Sequence, residues 1–128
     1  MSMGSIDQAF KLIDRVDFVP AGMEDQAGID APLPIGYGQT ISQPTTVRLM
    51  MGWLDPQLGE KVLDVGSGSG WTTALLSSMV GPKGKVFAVE LIPELLQLGR
   101  KNCKKAGVPN ATFFQAGRLD LPKIARSQ

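Results

Sequence analysis

The chain has 128 residues, 43% hydrophobic and 20% charged, with a formal net charge of +1; this is the profile of one globular domain, and it gives no long-range attraction to nucleic acid or a membrane surface. A lone cysteine, Cys103, and the absence of histidine exclude an internal disulfide, a cysteine metal cluster, a histidine base and most zinc or iron sites, so no metal is expected. No apolar run reaches membrane-spanning length and the N-terminus lacks a signal-peptide pattern, which predicts a cytoplasmic location.

Ile6, Phe10, Ile13 and Val16 recur at helical spacing among Asp7, Lys11 and Asp14, predicting a helix over 6–16 that stops near Phe18-Val19-Pro20. Residues 21–38 are rich in Gly, Pro and Asp and read as an extended connection without regular structure, although too apolar for a free linker. Helical spacing returns over 44–54, where Val47, Met50, Met51 and Leu54 form one apolar face, Pro44 opens the helix and Asp55-Pro56 closes it.

From Lys61 onward strands and helices alternate: strand 61–65, helix 71–80, the turn Gly81-Pro82-Lys83-Gly84, strand 85–89, helix 93–106 and strand 112–115. Gly107 stands where the last helix stops. This alternation predicts an α/β, Rossmann-like parallel sheet with right-handed crossovers and helices on both faces, preceded by a helical extension. Residues 1–58 form that extension and 59–128 the nucleotide-binding half, together one compact domain. After Gln115 the pattern ends: Leu119-Asp120-Leu121-Pro122 reads as a loop and 123–128 is too short for another unit. The basic run Arg100-Lys101-Asn102-Cys103-Lys104-Lys105 complements a helix C-terminus, the alternative being a phosphate-binding patch.

The chemistry is concentrated in Val62-Leu63-Asp64-Val65-Gly66-Ser67-Gly68-Ser69-Gly70 and in Glu90, which ends the next strand. Glycines at a strand-to-helix turn let the backbone approach a ligand, and an acid about 20 residues on can accept hydrogen bonds from two ribose hydroxyls. An adenosine-containing cofactor is expected. A dehydrogenase turn would place a third glycine where this chain has Trp71.

Pro32-Leu33-Pro34-Ile35-Gly36-Tyr37-Gly38-Gln39-Thr40-Ile41-Ser42-Gln43-Pro44, with Asp17-Phe18-Val19-Pro20, the glycine turn and Val89-Glu90-Leu91-Ile92-Pro93-Glu94-Leu95, resembles the protein-L-isoaspartate O-methyltransferase family. The resemblance extends over about 8–122, nearly the whole chain. It implies a class I methyltransferase that binds S-adenosyl-L-methionine, releases S-adenosyl-L-homocysteine, and methylates the free carboxylate of L-isoaspartyl residues in damaged proteins. It maps the catalytic serine to Ser42. Cofactor contacts map to Gln39, Thr40, Ile41, Asp64, Gly66, Ser67, Gly68, Ser69, Gly70, Glu90 and Leu91. Ser42 also has a plain reading as the cap of the helix entered at Pro44, and the two are compatible. A carboxylate acceptor is already ionised at neutral pH, so the reaction requires no base and a histidine-free chain can carry it.

Two departures accompany the resemblance. Gln115-Ala116-Gly117-Arg118 stands where the family usually has Gly-Asp-Gly, whose acid meets the adenine amino group, and the chain ends where family members continue with further strands. A sheet ending there leaves strand 61–65 as an apolar edge, for which the expected partner is a second copy, paired through Val62 to Val65 or exchanging an element. The competing reading is a catalytically silent module that binds the cofactor or its product. An RNA methyltransferase is disfavoured by neutral charge and the lack of a basic aromatic surface.

Overall fold

The computed structural model describes residues 5–117, so the loop expected at 119–122 and the segment after it lie outside the described residues. Strands β3 (Lys61–Val65), β4 (Lys85–Glu90) and β5 (Ala111–Gln115) form a parallel sheet in the order β3-β4-β5. Their register aligns Val62 with Val86 and Val86 with Ala111, then Val65 with Val89 and Val89 with Phe114. The crossovers are helices α3 (Trp71–Val80) and α4 (Pro93–Lys105), and these two helices pack on the sheet and on each other.

A strand order that advances steadily in one direction places right-handed crossovers on the same face. Val62, Val86, Ala111 and Phe113 accordingly pack into the core under α3 and α4. The alternating residues point the other way, and there the rings of Phe87 and Phe114 lie 6.4 Å apart. Helices expected on both faces are thus found on one among the described residues. Among the described residues β3 pairs only with β4 and so lies at the edge of the sheet, and its Leu63 and Val65 are 45% and 66% exposed.

Helix α3 is apolar almost all round because it lies between the sheet and α1 (Ser5–Leu12), and Ala74, Leu75, Leu76, Met79 and Val80 are buried. Side chains such as Phe18, Leu75 and Leu95, nearly inaccessible to solvent, each contribute about 1.5–3 kcal/mol through burial.

The N-terminal region departs from its expected form. Helix α1 stops at Leu12, and the Asp14 carboxylate accepts from Val16 N–H at 3.0 Å, starting a 3₁₀ turn over Arg15–Phe18 that directs Arg15 inward. The single helix over 6–16 is therefore split by a local side-chain cap. Residues 21–38 contain a 3₁₀ turn, Glu24–Gln26, and the first strand of a hairpin. Strand β1 (Leu33–Gly36) pairs antiparallel with β2 (Gln39–Ile41), with Leu33 opposite Ile41 and Pro34 opposite Thr40. Leu33, Ile35 and Ile41 are buried. Gly36, Tyr37 and Gly38 turn the chain with φ of 92°, 59° and 72°, a left-handed run that costs a tyrosine roughly 1–2 kcal/mol.

Helix α2 (Pro44–Leu54) begins and ends as expected, with Pro44 in its first turn and Asp55 left-handed at its end. Its four-residue apolar face divides: Val47 and Met51 are buried, whereas Met50 and Leu54 are 57% and 55% exposed. The helix takes its cap from a distant residue. Asp30 accepts from Thr45 N–H at 2.9 Å and from Thr45 Oγ1 at 2.6 Å, and the N-cap position is Gln43, with no side-chain bond of its own. Ser42 as a helix cap is thereby corrected.

Candidate functional site

Three glycines of the turn after β3 take left-handed conformations, with φ of 76° at Gly66, 55° at Gly68 and 96° at Gly70. Each has separate surroundings. A Cβ on Gly70 would lie 2.9 Å from the Gly99 carbonyl oxygen, so this position packs the turn on α4. A Cβ on Gly68 would meet Ile35 Cδ1 at 3.3 Å, which shows the β1–β2 hairpin resting on the turn. A Cβ on Gly66 would meet nothing within 4 Å, so open space lies above that residue.

The two acids have different duties. Glu90 is 6% exposed; its Oε1 accepts from Gly68 N–H at 2.8 Å and its Oε2 from Ile92 N–H at 3.0 Å. One carboxylate therefore joins the turn to the start of α4 while each oxygen retains acceptor capacity. Asp64 Oδ2 accepts from Thr72 Oγ1 at 2.8 Å and Thr73 Oγ1 at 2.7 Å, fastening β3 to the first turn of α3. Burial pushes the Asp64 carboxyl above its ordinary value, against the pull of the two threonine bonds, and the nearby charge of Glu90 adds to the rise.

Ser42 follows β2, exposed, with its carbonyl accepting from Arg15 Nη2 at 3.0 Å. It lines a cleft of about 410 Å³ with Asp64, Gly66, Thr72 and the apolar Met50 and Leu63. Sequence positions 42, 64 and 66 are thus brought together. Gln39 and Thr40 are exposed on β2, but Ile41 is 5% exposed within the core and offers a ligand no side-chain surface. Ser67, Ser69 and Gly70 are buried in the turn, and Ser67 Oγ has no hydrogen-bond partner among the described residues. Leu91 is 49% exposed beside Glu90, and neither lines the cleft. Ala116 donates its N–H to the Glu90 carbonyl at 3.1 Å, and Arg118 lies outside the described residues.

Thr72, Thr73 and Arg15 were not singled out from the sequence. The threonines carried a signal, since hydroxyls in a helix's first turn can face an acid on the preceding strand. The polar groups fit a nucleoside carrying an amino-acid tail: a buried carboxylate with spare lone pairs for hydroxyls, a second, half-buried carboxylate, an unpartnered buried hydroxyl, and open space over Gly66.

The family profile described as Protein-L-isoaspartate(D-aspartate) O-methyltransferase (PCMT) matches residues 1–125. A protein-L-isoaspartate O-methyltransferase of Aeropyrum pernix is 53% identical over 100 residues, which cover 78% of this chain and 38% of that protein. A solved structure named protein-L-isoaspartate O-methyltransferase aligns with a TM-score of 0.80 at 30% identity, covering 87% of this chain and 37% of its own. A Plasmodium falciparum protein named for the same family, crystallised with S-adenosyl-L-homocysteine, aligns with a TM-score of 0.75 at 23% identity over 86% of this chain and 54% of its own, a likeness of fold. The chain spans about half the length of the curated relatives it matches, from 38% to 58%. By its matched length and its identity to these relatives, the chain belongs to the protein-L-isoaspartate(D-aspartate) O-methyltransferase family.

Proposed function

We propose that this chain binds S-adenosyl-L-methionine across the glycine turn and directs methyl transfer to the free carboxylate of L-isoaspartyl residues in damaged proteins, in the cytoplasm. The observation that carries the reading is the buried Glu90 carboxylate, bonded at 2.8 Å to Gly68 N–H of the same turn whose Gly66 faces open space. Its remaining lone pairs suit a vicinal diol. The bound sulfonium supplies an electrophilic methyl group: the carboxylate oxygen forms the new O–CH₃ bond, the S–CH₃ bond breaks, and the sulfur keeps the electron pair as a neutral thioether.

The chain's own residues have the remaining work. The glycine turn and Glu90 hold the nucleoside, Asp64 and Thr72 give the cleft its polar floor with the buried Thr73 hydroxyl bonded to Asp64 from behind, and Ser42 orients the acceptor carboxylate by donating its hydroxyl proton in a hydrogen bond. Exposed Gln39 and Thr40 flank the acceptor side, while Ile41 supports that edge from the core. Met50, Leu54 and Leu63 give the cleft an apolar lining, lowering the local water content where an anion meets a cation. Alignment and desolvation supply the rate, and no proton is transferred.

Labelled methyl transfer to an isoaspartyl peptide, compared with its aspartyl counterpart, tests the reading alongside calorimetry with S-adenosyl-L-homocysteine. Selective labelling is the expected result. Binding without turnover would establish instead the silent cofactor-binding module. Absence of binding would remove both.

The β3 edge, unpaired among the described residues, also supports pairing with a second copy through Val62 to Val65. Light scattering after size exclusion is expected to give twice the chain mass at micromolar concentration. A monomer there would overturn the dimer.

A further inference from the structure

Arg15 is 5% exposed, and its guanidinium donates to four main-chain carbonyls: Nη1 to Ala27 and Ile29, each at 3.1 Å, and Nη2 to Ala31 at 2.6 Å and Ser42 at 3.0 Å. The first three acceptors precede the β1–β2 hairpin and the fourth follows it, so one side chain ties both ends of the segment that rests on Gly68. The same guanidinium lies 5.5 Å from the ring centre of Trp71, the residue that begins α3 directly after the turn. We infer that Arg15 is the positioning residue for the acceptor side of the site, locking residues 27–42 so that Ser42 is presented to the cleft beside Asp64 and Gly66. The inference rests on the proposed function for its catalytic meaning, but not for its structural content.

The physical argument lies in the donor geometry. A guanidinium is a rigid planar fork with five N–H groups, able to serve several carbonyls in fixed directions, whereas a lysine ammonium is a compact point charge on a flexible stem. The ion pair among the described residues belongs to a different arginine, Arg48 with Asp7. Arg15 is instead anchored by carbonyl dipoles and an aromatic face. This arrangement specifies backbone conformation, since each bond fixes one peptide plane of the segment that leads to Ser42.

Arginine side-chain NMR on the unmodified chain supplies the first test. Separate Nη resonances that exchange slowly are expected for Arg15, and averaged, freely rotating Nη groups would overturn the inference whatever any variant does. Arg15→Lys and Arg15→Met supply the second, read by hydrogen exchange, calorimetry and methyl transfer. Exchange is expected to accelerate about tenfold or more within 27–42 while α3 and β4 keep their protection. Affinity for S-adenosyl-L-homocysteine should stay within about threefold, and KM for an isoaspartyl peptide should rise about tenfold, more than kcat falls. Unchanged exchange in 27–42, equal acceleration across the whole chain, or a loss of cofactor affinity without a change in KM would overturn the assignment. If the unmodified chain transfers no methyl group, the proposed function fails, and local exchange still decides whether Arg15 locks the segment.

Discussion

Gly70 and Gly99 meet backbone to backbone: a Cβ on the first would lie 2.9 Å from the carbonyl oxygen of the second, and one on Gly99 would lie 3.0 Å from the Gly68 carbonyl oxygen. The glycine turn is therefore seated directly on α4. Gly99→Ala gains up to about 1 kcal/mol of helix propensity but presses a methyl group on main chain, an overpacking that typically costs about 1–3 kcal/mol. The expected net effect in urea unfolding is a loss of about 1 kcal/mol with unchanged slope, together with weaker S-adenosyl-L-homocysteine binding. A more stable variant with intact binding would show that the turn can move away without consequence.

Glu90→Gln tests the central carboxylate. The amide retains one acceptor oxygen, so its NH₂ must confront the N–H of either Gly68 or Ile92, which accept no bond in return. A buried donor left without an acceptor costs about 1–3 kcal/mol, and calorimetric affinity for S-adenosyl-L-homocysteine is expected to fall by about tenfold or more. Equal affinity would reject Glu90 as the nucleoside-binding acid.

Asp64 provides a pH test. Burial raises its carboxyl above the ordinary 3.8, so the folded chain holds this proton more tightly than the unfolded chain. Its contribution to stability is complete below 3.8 and is lost as pH rises through the folded value. Thr73→Val removes a hydrogen bond that favours the charged form. Carbon-detected NMR titration should therefore show Asp64 titrating above 3.8 in the unmodified chain and higher still in Thr73→Val. A downward shift in the variant would contradict this account.

Cys103 should be chemically silent. Burial, with a smaller contribution from the Asp64 charge, pushes its thiol up to about 12, and Sγ donates to the Gly70 carbonyl at 3.3 Å. Because the thiolate is the reactive form, mass spectrometry should find no iodoacetamide adduct on native protein at pH 8 under conditions that label the unfolded chain fully. Native labelling at the free-thiol rate would show that α4 opens away from the turn.

The sheet was legible because its signals are local. Val62 to Val65 and Val86 to Val89 are short apolar runs, and glycines and helical spacing follow at once. What escaped depends on contacts distant in sequence or on residues with more than one use. Pro32, Pro34, Gly36 and Gly38 suggested irregular chain, yet Leu33, Ile35 and Ile41 alternate as a hairpin should, and the proline stands in a short two-stranded ribbon that tolerates its missing N–H. Asp30 caps a helix 15 positions away, a pairing that no local pattern announces. Within the site, the turn and Glu90 could be read directly because strand, glycine and acid follow one another at characteristic spacing. Arg15 could not, since an arginine beside Asp14 and Asp17 looks solvated until Asp14 is seen capping the turn that carries Arg15 inward.

The chain holds two tryptophans, in opposite surroundings: Trp53 on α2 is 78% exposed, whereas Trp71 is 2% exposed with its ring edge-on to Phe10 at 5.6 Å. Fluorescence therefore has two resolvable sources, a red, iodide-quenchable emitter on the surface and a blue, shielded one directly after Gly70. The shielded indole makes the glycine bend its own optical reporter, visible without any attached dye.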